Sequence, residues 1–217
     1  EAQGRPAQGK SHIRRTQVLI SCTGLLLAIL FITPVAFATP AYQATAQFQL
    51  ARQQAATGQP VDGLRCEPTV GSQSHLSIHL SVYVNNEALA LPAGIGIVAP
   101  PQPGVVAFAS HGRTNCLYPL HVYENDNIIH AELFDNRTCY LGQFFDIWGQ
   151  PLSRTQISGY RATVDQPLVF EIFDASGNEH IYSGDPRKIS LEEHETIVVL
   201  LHSPLVHPAP FIDWNGL

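Results

Sequence analysis

Methionine is missing from all 217 residues, position 1 included, so the first residue carries no information about a natural start. Charge is scarce: Asp, Glu, Lys and Arg make up 14% of the chain, against roughly a quarter of an average soluble domain. So low a share points to a membrane segment or a β-rich body. Basic residues are few beyond residue 38, where 8 Lys/Arg face 17 Asp/Glu for a charge of −9. Ahead of it, Glu1 stands against Arg5, Lys10, Arg14 and Arg15, giving +3. An acidic body without a basic stripe argues against nucleic acid as a partner.

Several chemical signatures are absent as well. None of the four cysteines forms a C-x-x-C pair, so a thiolate zinc site or redox exchange has little support. There is no G-x-S-x-G nucleophile turn and no Gly-rich phosphate loop behind a strand, which leaves Ser, His and Asp without a catalytic context. Glu124, Asp126 and Glu132 read as carboxylates around a solvated hairpin turn. The chain reads as non-enzymatic.

Sixteen Gly and sixteen Pro are spread along the sequence, favouring a turn-rich fold over a helical bundle. The long uncharged run is Val18–Ala38, VLISCTGLLLAILFITPVAFA. A helix of that length covers roughly 30 Å, enough to span the hydrocarbon core. Lys10, Arg14 and Arg15 precede it, so the N-terminus is expected in the cytoplasm and the acidic body outside. Ala36-Phe37-Ala38 has the form of a signal-peptidase site, but the run exceeds the roughly 7–15 residues of a signal core. A retained single-pass anchor is preferred. Leu19-Ile20-Ser21-Cys22 resembles a lipobox, yet it sits at the start of the run and reads as ordinary membrane sequence.

The organisation expected is a cytoplasmic basic arm over 1–16, a transmembrane helix over 17–38, an Ala/Gln-rich stalk over 39–60 and an extracytoplasmic body over 61–217. The body is expected to be mainly β: a compact antiparallel domain with one short amphipathic helix. Leu76, Ile78, Leu80, Val82 and Val84 alternate with His75, Ser77, His79, Ser81 and Tyr83, the pattern of a half-buried strand. Asn85-Asn86 turns it into EALAL. A turn centred on Asn125-Asp126 pairs His121 with His130 across a second hairpin, their Cβ atoms about 4.5–5.5 Å apart. Leu141, Phe144, Phe145 and Trp148 form a helical stripe stopped by Gly149 and Pro151. A third hairpin turns over Ala175–Asn178, Ser190 with Glu193 offers a cap for one turn, and ETIVVLLH is a last apolar strand. The Pro-rich tail is an extended strap anchored by Phe211 and Trp214.

In an oxidising compartment one disulfide is expected among Cys66, Cys116 and Cys139. Cys66–Cys116 is preferred because each precedes a core strand; Cys116–Cys139 is the competitor. Cys139 is then a free, buried thiol. Asn136-Arg137-Thr138 matches a glycosylation sequon, a frequent chance match.

The stretches CEPTVGSQSHLSIHLSVYVNN, PAGIGI, CLYPLHVYENDNIIHAE and LGQFFDIWGQPL together resemble a family of secreted or membrane-anchored bacterial domains. Its pattern is C-x8-H-x-H-x-H-L, then C-L-Y-W-L-H-T-H-D, I-I-H-I-E and L-G-Q-F-F-D-I-W. The resemblance covers roughly Leu64–Leu217 and implies an imidazole-lined patch, but no activity. Ser77 and Tyr123 stand where that pattern has histidine; His75, His79, His121 and His130 are retained.

Zinc or copper needs three or four imidazole or carboxylate ligands around one point. His75 and His79 lie about 13 Å apart along a straight strand, too far to share an ion. The candidate ligands are therefore His121 and His130 as cross-strand partners, His79 as third member and Glu132 nearby. The simpler reading is preferred, in which these are polar side chains on the wet face of a sheet. Function is expected to be that of an accessory subunit, membrane-tethered and docked on a larger protein complex of respiratory or photosynthetic type. The alternative is an anchored domain binding a metal or small ligand through its histidine face.

Overall fold

The computed structural model describes residues 55–98 and 115–214. The basic arm, the apolar run, most of the stalk and the loop opened by Pro100 lie outside the described residues. Among the described residues no helix is long and apolar enough to cross a membrane.

Strand β1 (Ser74–Val84) is the spine of a seven-stranded sheet. Its alternating Ile78, Leu80, Val82 and Val84 are all buried in one core. Burial of each such side chain contributes about 1.5–3 kcal/mol, which fixes the register, because a one-residue slip would turn all of them to the other face. Asn85 and Asn86 both take positive φ, 54° and 68°, the conformation of a two-residue hairpin turn. β2 (Glu87–Leu89) then pairs back on the second half of β1. β3 (Ile97–Val98) and β4 (Cys116–Leu117) form a separate ribbon. β5 (Leu120–His121) and β6 (Ile128–Leu133) continue the main sheet, β6 lying against the first half of β1.

The β5–β6 ladder joins His121 to His130 and then stops. The tight turn expected over Asn125-Asp126 opens instead. Val122 leaves the sheet edge to exchange hydrogen bonds with residues 94–95. The side chains of Asn125 and Asn127 accept from the Ala93 and Leu91 N–H groups. Those backbone donors would otherwise be orphaned, and satisfying them outweighs two more hairpin bonds.

Helix α1 (Leu141–Trp148) sets Leu141, Phe144, Phe145 and Trp148 into the same core as the sheet. Gln143 accepts from the Tyr140 N–H at its start, and Gly149 ends it at φ 72°, a conformation that favours glycine. β7 (Leu152–Ser153), β8 (Gln156–Ile157) and β9 (Tyr160–Arg161) make a small meander. β10 (Val169–Phe173) and β11 (Glu179–Ile181) form the third hairpin, with Phe173 opposite Glu179. The short helical turn falls at Pro186–Lys188, not at Ser190–Glu193: Pro186 presets its first residue and the Asp185 carboxylate accepts from the Arg187 N–H. Glu193 is used elsewhere, accepting from the Ser77 N–H at 2.8 Å.

β12 (Thr196–Leu201) completes the sheet in the order β11-β10-β12-β1-β6-β5. The sheets are antiparallel apart from the β1–β12 pair, where His79–Val84 runs parallel to Thr196–Leu201. The chain between them supplies the crossover that parallel pairing requires. The strap after β12 lies across the histidine-bearing face: Phe211 stacks on His79 at 4.4 Å and Trp214 on His194 at 4.7 Å. The disulfide is Cys66–Cys116, and Cys139 is free and buried. Within the expected stalk, Ala56 already bonds to Ile147, and Gly58 and Gln59 to the Tyr118 hydroxyl.

Candidate metal centre

The candidate side chains sit on the sheet face opposite the main core, where β1, β6 and β5 lie side by side. Register brings them together. β1 pairs with β6 so that His75 faces Glu132 and Ser77 faces His130; β5 then sets His121 beside His130. Three imidazoles form a stacked row across three strands. His75 and His130 have centroids 5.9 Å apart with planes within 12°, and His130 and His121 are 5.8 Å apart within 17°.

Glu132 runs alongside this row. Its Oε1 lies 3.7 Å from His75 Nε2 and its Oε2 lies 3.6 Å from His121 Nε2. Neither is a hydrogen bond at that length. Tyr123 donates to Oε2 at 3.2 Å and abuts the edge of the His121 ring at 4.5 Å. The row grades from solvent inward: the His75 side chain is 49% exposed, Glu132 13% and His121 0%. Gly96 helps to seat β5. It sits at φ 74°, and a Cβ there would come 2.3 Å from the Leu120 carbonyl oxygen and 2.9 Å from His121 Cβ.

Burial governs the protonation states. It pushes His121 down to about 4 and His130 below its ordinary value, so both rings are neutral near pH 7. It raises Glu132, against the Tyr123 hydrogen bond and the nearby His75. Tyr123 is pushed up to about 12 by burial and by the Glu132 carboxylate. Neutral imidazole beside carboxylate is the donor set that zinc, copper, nickel and iron accept.

His75, His130 and Glu132 each offer one ligand atom, and these lie within 4.8 Å of one another. Three atoms each about 2.1 Å from one ion at tetrahedral or trigonal angles sit about 3.4–3.6 Å apart. The set must therefore draw in by up to roughly 1.4 Å, and the half-exposed His75 is its least enclosed member. The four residues expected from the sequence are thus divided. His130 and Glu132 stand in this group, and His121 adjoins it on the inner flank. His79 lies further along β1 under Phe211, its Nδ1 3.2 Å from Ser81 Oγ. The added residue is His75. The spacing argument barred His75 and His79 from sharing an ion, but only the β1–β6 register chooses between them.

A cleft of about 530 Å³ bounded by Leu64, Arg65, Glu67, Phe134 and Arg137 contains none of these histidines. No protein-family model, no curated protein and no solved structure matches this chain.

Proposed function

We propose that the body binds a transition-metal ion, zinc or copper by its donor set, through His75, His130 and Glu132, as an extracytoplasmic domain held to the membrane by the Val18–Ala38 segment. The observation that carries this reading is the convergence of two imidazoles and one carboxylate from β1 and β6 within 4.8 Å. Three protein ligands leave coordination positions open, and the half-exposed His75 leaves the ion reachable from solvent. The Cys66–Cys116 bridge accords with an oxidising compartment. Metal content of the full chain in detergent, after chelation, reloading with Zn(II) or Cu(II) and desalting, tests it. One ion per chain is expected, lost in His130→Ala and Glu132→Gln and retained in His79→Ala. Absence of retained metal in the unaltered chain would sink the reading.

Docking on a larger membrane assembly is the second reading. Its support is the apolar run and the Ala/Gln-rich segment behind it, both suited to a protein that spans and reaches. A mild-detergent pull-down that recovers this chain alone would count against it.

A further inference from the structure

A cavity of about 440 Å³ lies between the β10–β11 hairpin and residues 188–195. Ile172, Ala175 and Ile189 supply apolar wall, and Glu195 is part of the lining. Glu195 stands one residue ahead of β12, in step with the core residues Ile197, Val199 and Leu201. Alternation calls for an apolar side chain there; the sequence has a carboxyl group, only 7% exposed. Its Oε2 meets the Glu192 N–H at 3.4 Å, past the usual limit of about 3.2 Å. Its Oε1 makes no hydrogen bond among the described residues. A carboxylate so enclosed is costly unless a donor or a cation meets it.

The lining does not provide that cation. Lys188 is exposed on it and enters none of the ion pairs among the described residues. His180 is the other basic group there, against Asp174, Glu192, Glu193 and Glu195. Asp174 is held by the N–H groups of Ser176 and Asn178, and Glu193 by the Ser77 N–H and His194. The Glu192 side chain makes no hydrogen bond among the described residues. Glu192 and Glu195 are therefore the two carboxyl groups left to take a ligand. Burial, with Glu192 adding to it, pushes Glu195 up to about 7, which marks how poorly the empty cavity accommodates its charge.

We propose that this cavity binds an aliphatic amine, its ammonium group on Glu195 and Glu192 and its methylenes along Ile172, Ala175 and Ile189. A metal ion is the poorer occupant. It needs several ligand atoms around one point, and among the described residues the group that converges so is His75, His130 and Glu132, with no member here. An ammonium group asks only for acceptors within reach of its three N–H bonds, and its carbon chain gains from the apolar wall. The surplus of carboxylates around the mouth suits a second amine on the same chain.

Isothermal titration of 1,5-diaminopentane into the full metal-free chain in detergent at pH 8 tests this, with 1,5-pentanediol as the uncharged counterpart. One saturable site per chain is expected for the amine and none for the diol. Glu195→Gln keeps the shape and removes the charge, and should weaken the amine about 10–100-fold. Glu87→Gln, on exposed β2 and outside the lining, should leave the affinity unchanged. No saturable binding overturns the proposal, as does equal binding of the diol, retained affinity in Glu195→Gln or equal weakening in Glu87→Gln. Displacement of the amine by Ca(II) at matched ionic strength would reassign the cavity to a metal and overturn the organic ligand. Should Glu195→Gln not fold, the amine must shift the amide resonances of Ala175, Ser190 and Glu192 in the unaltered chain; unmoved resonances overturn the proposal.

Discussion

His121 and His130 face each other directly across β5 and β6, their rings 5.8 Å apart and nearly parallel. Burial lowers the pKa of both, His121 to about 4. The unfolded chain, with histidine near 6.5, binds more protons than the fold between those values. Stability from these rings is complete above about pH 6.5 and is lost as pH falls toward 4. Urea midpoints of the metal-free protein should drop between pH 7 and 4.5, by about 1–3 kcal/mol in stability. His121→Gln should flatten that dependence; an equally steep profile in the variant would refute the assignment.

Glu195 acts with the opposite sign. Burial and the neighbouring Glu192 carboxylate push it up to about 7. A carboxyl raised in the fold stabilises fully below about pH 4.5, and that contribution disappears as pH rises through 7. Glu195→Gln should therefore leave stability unchanged at pH 4.5 and raise it by about 1–2 kcal/mol at pH 8, after discounting for partial solvent screening. A variant less stable at pH 8 would show that the carboxylate is wanted.

Phe211 covers His79, ring on ring at 4.4 Å, and its N–H donates to Thr196 Oγ1 at 2.9 Å. Burial holds His79 down at about 4. Phe211→Ala should open this contact, cost about 1–2 kcal/mol and move the His79 titration up toward 6.5. Proton NMR of the ring resonances measures it. An unmoved His79 would mean that β1 and its neighbours, and not the strap, keep water from the ring.

The Cys66–Cys116 bridge spans 50 residues of sequence, a loop whose closure is worth about 2–4 kcal/mol. Replacing both by alanine should lower stability by that amount. Native Cys139, buried and with its thiol pushed up to about 11, should resist thiol reagents until urea opens the core. Rapid labelling of Cys139 in the native protein would contradict its burial.

Sequence pattern reached part of this architecture. Strict alternation marked β1, and a helical stripe marked α1, because each signal is local and strong. The His121–His130 pairing was legible for the same reason: two apolar runs meet across a short polar stretch. The β1–β6 register was not legible, since the two strands are separated by over forty residues and several loops. Only that register sets His75 against Glu132. The same holds for the parallel place of β12, for the strap that removes His79 from the cluster, and for the loop at Val122 that prefers residues 94–95 to its own hairpin.

The pairing of β1 with β12 carries a consequence for biogenesis. β1 begins at Ser74 and its parallel partner ends at Leu201, so the central seam of the sheet cannot close until the chain has emerged as far as Leu201. Long-range contacts of this kind slow folding. Until then one edge of β1 is an open strand rich in Ile, Leu and Val, a surface prone to unwanted pairing. A chain threaded across a membrane from its N-terminal side would pass through a prolonged unfinished state, and a nonsense truncation ahead of Thr196 would leave it there permanently.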